Sequence, residues 1–174
     1  EDPGWPPRLR LQRLQALETV LGFTGPAEEL RAAAEQRRRL AYLAESTFDE
    51  LSACAALVYA DTMLGRFDEA TRGGRELVAQ FRRSGFAVHL GYPLADLALA
   101  LSLKGELDEA VRLMREAVPL LKQQAGVLFV LDRIALIALL RGRTDSAARL
   151  FGAGKALLEK LGHKRFFDEQ RVHN

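Results

Sequence analysis

The chain has 174 residues, a formal net charge of +2 and a hydrophobic share of 48%. Such a composition can fold, and its balanced charge gives only weak long-range attraction for nucleic acid. A single cysteine, Cys54, excludes an internal disulfide and an all-cysteine metal site, and no run reaches the ~18 apolar residues of a membrane span.

Residues 1–7 read as a proline-stiffened lead-in, with Trp5 expected to cap the end of the first helix pair. The polar start is not that of a signal peptide, and without an initiator methionine the chain reads as a piece of a longer protein. A reducing, cytoplasmic setting is expected from the lone cysteine. Leu9, Leu11, Leu14, Leu17, Val20 and Leu21 follow helical spacing, which predicts a first helix over 8–21. Pro26 suits the first position of a second helix running to about residue 45. Arg37, Arg38 and Arg39 lie on that helix. Residues 1–47 hold seven basic and seven acidic side chains, so the triplet reads as a solvated face in preference to a phosphate site.

Thr47-Phe48-Asp49-Glu50 has the spacing of a capping box and opens a third helix, over about 48–64. A fourth runs over 67–83. Gly73 and Gly74 inside it weaken helix propensity by ~1–2 kcal/mol, which points to close approach by a neighbouring helix. A fifth covers 86–104, with Pro93 predicting either a kink or a start nearer Tyr92. The sixth, over 106–124, has the cleanest apolar stripe, and Pro119 is expected to bend its last turn. The seventh, 127–140, is apolar nearly all round. Thr144 is placed to cap the eighth, which ends at Gly162. Residues 163–174, with Phe166 and Phe167, read as a tail or the start of a further helix.

These helices fall into four antiparallel pairs, over approximately 8–46, 47–84, 86–124 and 126–162, in a single all-α repeat domain. Leu64-Gly65-Arg66-Phe67-Asp68-Glu69-Ala70, Lys104-Gly105-Glu106-Leu107-Asp108-Glu109-Ala110 and Arg141-Gly142-Arg143-Thr144-Asp145-Ser146-Ala147 are copies of one turn, and Gly25 opens a weaker one. Glycines at 25, 65, 105 and 142 set a period near 40 residues, the mark of a stacked array. The glycine permits the backbone excursion at the helix end, the acid suits the next helix's first turn, and the alanine is small where two helices cross.

The turn resembles that of tetratricopeptide repeats, with Ala70, Ala110 and Ala147 matching the family's small residue and Asp68, Asp108 and Asp145 its acidic turn. The 40-residue period departs from the family's usual ~34, and a HEAT-type array ranks second. The resemblance implies a right-handed superhelix, or α-solenoid. A narrower one covers residues 147–162, Ala-Ala-Arg-Leu-Phe-Gly-Ala-Gly-Lys-Ala-Leu-Leu-Glu-Lys-Leu-Gly. It is similar to the last repeats of large bacterial regulators that join a signal-transduction ATPase to a LuxR-type, winged-helix or cyclase module. There such repeats form a sensor arm for an inducer or a protein partner.

Transferred by counting back from the three alanines, the family's groove positions fall on Ser52, Tyr59 and Thr62; on Tyr92, Leu99 and Ser102; and on Phe129, Asp132 and Leu136. Gln12, Gln15 and Thr19 belong to the first pair. These residues either line a concave groove or merely pack on neighbouring helices. As a groove they suit a peptide, a helix or a small neutral inducer.

Chemistry is poorly signalled. Gly152-x-Gly154-Lys155 lacks the first glycine and the hydroxyl residue of a phosphate loop. His89, His163 and His173 lack metal-site spacing, and Cys54 has no signalled histidine partner and reads as a small core residue. A non-catalytic, cofactor-free binding domain of a regulator is the favoured expectation, with no membrane contact. The alternatives are nucleic-acid binding through an arginine-rich surface, with Arg10, Arg13, Arg37, Arg38, Arg39, Arg82 and Arg83, and homodimerisation through Trp5 and Phe166-Phe167.

Overall fold

The computed structural model describes residues 4–123 and 126–162. Among them run eight α-helices: α1 (Pro7–Thr24), α2 (Ala27–Leu43), α3 (Thr47–Met63), α4 (Phe67–Arg83), α5 (Gly91–Lys104), α6 (Leu107–Gln123), α7 (Leu131–Leu140) and α8 (Thr144–Leu161). The described residues contain no strand. Short 3-10 segments, Ala87–His89 and Val127–Val130, lead into α5 and α7. Phe166, Phe167, His163 and His173 lie outside the described residues.

Consecutive helices pack as α1 on α2, α3 on α4, α5 on α6 and α7 on α8, and each even helix up to α6 also touches the odd helix that follows it. The odd helices touch one another in order, α1 to α3 to α5 to α7. Their sequences explain this. On α5, Leu94, Ala95, Leu97, Ala98, Leu99, Ala100 and Leu101 are all buried, so the helix has no polar face to give to water. The even helices are amphipathic. On α6, Ala110, Met114, Ala117 and Leu121 recur every three or four residues and are buried, with charges on the opposite side. Each fully buried leucine contributes ~1.5–3 kcal/mol relative to exposure, so Leu77, Leu94, Leu97, Leu101 and Leu121 make the middle of the chain its apolar centre.

Ala70, Ala110 and Ala147 are buried at the crossings within pairs. Gly74 faces Leu97 so closely that a Cβ there would stand 2.9 Å from Leu97 Cδ1, which accounts for the glycine inside α4. The helix joints share one backbone feature. Positive φ occurs at residues 25, 45, 65, 85 and 105, at intervals of 20 residues, and again at 142 and 162. Six of these are glycines, but position 45 is Glu45, at φ 53°. For a residue with a Cβ the left-handed conformation costs ~1–2 kcal/mol.

The turns are tied to one another by charge. Arg66 donates to Glu28 at 2.9 Å, Lys104 meets Asp68 at 2.9 Å, and Arg141 donates to Asp108 at 2.8 Å. In each case the cation flanking one turn's glycine reaches the first-turn acid of the preceding even helix. Arg75 of α4 also bridges to Glu106 and Glu109, and Arg82 to Glu116 of α6. Long side chains thus span the gap between even helices that small residues close between odd ones. Exposed pairs of this kind add little stability, because water screens both charges.

Several local expectations are corrected. The N-cap of α3 is Ser46, not Thr47; its hydroxyl donates to Asp49 Oδ2 at 2.7 Å, and no side-chain cap is made to the backbone. Thr144 is the first residue of α8, and its N-cap is Arg143, again with no side-chain cap. Helix α5 starts at Gly91, which places Pro93 in its first turn, where a missing amide is harmless. The predicted seventh helix splits into a 3-10 segment and a ten-residue α7. Helix α6 runs four residues beyond Pro119. Trp5 remains about half exposed.

Candidate functional site

The arginine triplet on α2 is not one solvated face. Arg38 and Arg39 are exposed, but Arg37 is 1% exposed and sits where α1, α2 and α3 meet. Its Nη1 donates to Glu18 Oε2 at 2.7 Å and its Nη2 to Asp49 Oδ1 at 2.9 Å. Burial holds the Glu18 carboxyl above its usual value, with Arg37 pulling the other way and Asp49 adding to the rise. For Asp49, burial also pushes up, but the Ser46 hydroxyl and Arg37 together prevail and the net direction is down. Glu18 Oε1 and Arg37 Nε are buried without hydrogen-bond partners among the described residues.

Next to this cluster the odd helices enclose a pocket of about 260 Å³. Glu18, Thr19 and Gly22 come from α1, Ala55, Ala56 and Tyr59 from α3, Tyr92 and Asp96 from α5, and Arg133 from α7, with Leu30 of α2 at the edge. The Arg133 guanidinium donates to Asp96 and lies 5.6 Å from the centre of the Tyr59 ring, within cation–π range. Burial raises the Tyr92 phenol, opposed by Arg133 and reinforced by Asp96. The Tyr92 hydroxyl leans over Gly126, where a Cβ would stand 2.6 Å away.

Of the residues placed in a groove by the sequence, Thr19, Tyr59 and Tyr92 meet in this pocket. Gln15 is exposed one turn along α1, and its carbonyl accepts the Thr19 hydroxyl at 3.0 Å. Ser52 is half-buried on α3, away from the pocket. Thr62 and Ser102 are buried and donate to carbonyls of their own helices, Val58 and Ala98, so they present no proton to a ligand. Leu99 and Leu136 belong to a buried cluster with Tyr59, and Gln12 is exposed. Asp132 is buried against α8, with Oδ1 3.1 Å from the place a Cβ on Gly154 would take. The side chain of Phe129 lies outside the described residues.

Counting missed the pocket on α7 by one residue. Arg133 lines it, not Asp132. One residue turns a helix by ~100°, and the 3-10 segment before α7 winds more tightly than the α-helix assumed in the count. Asp96 was legible, since it stands one turn after Tyr92. Glu18 was also legible, as an acid among the apolar positions of α1.

No protein-family model, curated protein or solved structure matches the chain. What the pocket can do follows from its side chains. Two tyrosine rings, two carboxylates and an ion-paired arginine make a recognition surface, and no histidine or cysteine lines it. A second depression, about 430 Å³, lies between α2, α3 and α4, where Arg31 is already engaged by Asp61 and Glu35. Cys54 borders it; burial raises its thiol against the pull of Arg38, which leaves it a poor nucleophile. His89 is exposed and stacks edge-on with Phe48. Among the described residues no His, Cys, Asp and Glu side chains gather to hold a metal ion, and no helix is long and apolar enough to cross a membrane.

Proposed function

We propose that this chain is a non-catalytic binding module, a tetratricopeptide-like α-solenoid arm of a bacterial regulator. It receives a peptide, a protein segment or a small inducer in a concave face built by α1, α3, α5 and α7. The observation that carries this reading is the pocket, to which all four of those helices contribute. Curvature is supported by the packing. Helices that touch through alanines on one side, and are bridged by arginine–glutamate pairs on the other, wrap toward the touching side.

Ligand-dependent melting of the isolated chain tests this reading. A ligand present at ~100 times its dissociation constant adds ~2.7 kcal/mol. For a domain of this size that raises the midpoint by ~5–10 °C, and the rise should vanish in a Tyr59→Ala/Tyr92→Ala variant. A cooperatively unfolding chain that answers neither a peptide library nor a metabolite library would count against the module.

Nucleic-acid binding has less support, because Arg37 is buried and Arg82 is held by Glu116. Self-association is favoured by one observation. Leu139, Leu140, Leu157 and Leu161 of the fourth pair are each more than two-fifths exposed. Sedimentation across a concentration series decides it, and a monomer throughout removes that reading.

A further inference from the structure

We infer that the pocket between α1, α3 and α5 recognises an alkylammonium group. The inference rests on the binding-module reading and names the chemistry of its ligand. Glu18 carries it. Its side chain is 7% exposed, it lines the pocket, and while Oε2 takes Arg37, Oε1 has no hydrogen-bond partner among the described residues. A buried carboxylate oxygen without a donor is costly, and a ligand that brings a proton relieves that cost.

The neighbours point the same way. The Thr19 hydroxyl spends its hydrogen on the Gln15 carbonyl, so its oxygen faces a ligand as an acceptor. Asp96 adds a second carboxylate. Against these two acids the lining sets a single cation, Arg133, which is engaged by Asp96 and the Tyr59 ring. An anion would meet two carboxylates here and would have to compete for that arginine. A cation meets acceptors and the faces of Tyr59 and Tyr92, which favour positive charge. Leu30, Ala55 and Ala56 supply the apolar wall for a short methylene chain. About 260 Å³ suits a ligand of that size and excludes a bulky one. A tetrahedral ammonium offers three protons, enough for Glu18 Oε1, Thr19 Oγ1 and one water or carboxylate oxygen.

A free amine and a lysine side chain share this chemistry, and calorimetric titration of the full chain separates them. The probes are n-pentylamine, Nα-acetyl-lysine-amide, and n-pentanoate as the anion of matching length. Pentylamine or the lysine derivative should bind at least about tenfold more tightly than pentanoate. Preference between the two amines identifies the source. Thr19→Val removes an acceptor from an exposed position without touching Arg37, and Glu18→Gln removes the charge. Each should weaken amine binding by about tenfold, in protein shown by its melting curve to be folded. Pentanoate binding as well as the amines, or amine binding unchanged in both variants, overturns the assignment. If the amines fail while other ligands still shift melting through Tyr59 and Tyr92, the ammonium assignment falls and the module reading stands.

Discussion

The same helix-pair geometry is cemented in two different ways along the chain. Where α1, α2 and α3 meet, the centre is a buried guanidinium between two carboxylates. Where α4, α5 and α6 meet, it is Leu77, Leu97, Leu101 and Leu121. Leucines gain from leaving water at almost any spacing. The charges of the first junction must all be present and aligned, since desolvation cancels much of their attraction. The first junction therefore adds specificity of assembly and little net stability, and the middle supplies the stability.

The largest test of that contrast is Arg37→Ala. It strands Glu18 and Asp49 and should cost ~3–5 kcal/mol in urea unfolding, while replacing all three residues together by Leu, Met and Leu should cost close to nothing. A triple variant as unstable as the single one would show that the ions stabilise in their own right. Next is Leu97→Ala in the middle, expected to cost ~2–5 kcal/mol with no rescue by a polar partner. Smaller is the gain from Glu45→Gly. The joint into α3 holds a glutamate at φ 53° where the joint into α5 has Gly85 at φ 77°. Removing the Cβ should raise stability by ~1 kcal/mol, and Gly85→Ala should lose a similar amount.

The smallest effect is a slope with pH, and only the first junction has it. The folded Glu18 carboxyl lies above 4.5, so its contribution is complete below 4.5 and fades as pH rises through the folded value. Asp49 lies below 3.8 when folded; its contribution is complete above 3.8 and is lost as pH falls through the folded value. Together they favour folding most between 3.8 and 4.5. Urea midpoints measured against pH should lose the upper limb in Glu18→Gln and keep the lower one.

How much of this could be read from residues alone depended on which force was involved. Helix existence followed from periodic leucines and alanines, and α4 was placed to the residue, because apolar spacing and the Gly65 and Ser84-Gly85 breaks agree there. Caps were misjudged where two hydroxyls compete, as Ser46 and Thr47 do. Half of the pocket was found through Thr19, Tyr59 and Tyr92, which lie on regular helices. Arg133 was missed because a 3-10 segment changes the helical phase, and Arg37 because charge balance cannot tell a surface from a centre.

A chain whose left-handed corners recur every 20 residues as far as position 105 behaves as a modular ruler. Copying residues 46–85 in frame would add two helices and leave each corner's geometry unchanged. An insert of any other length would rotate every buried face downstream, as the shortened interval before position 142 already does to α7.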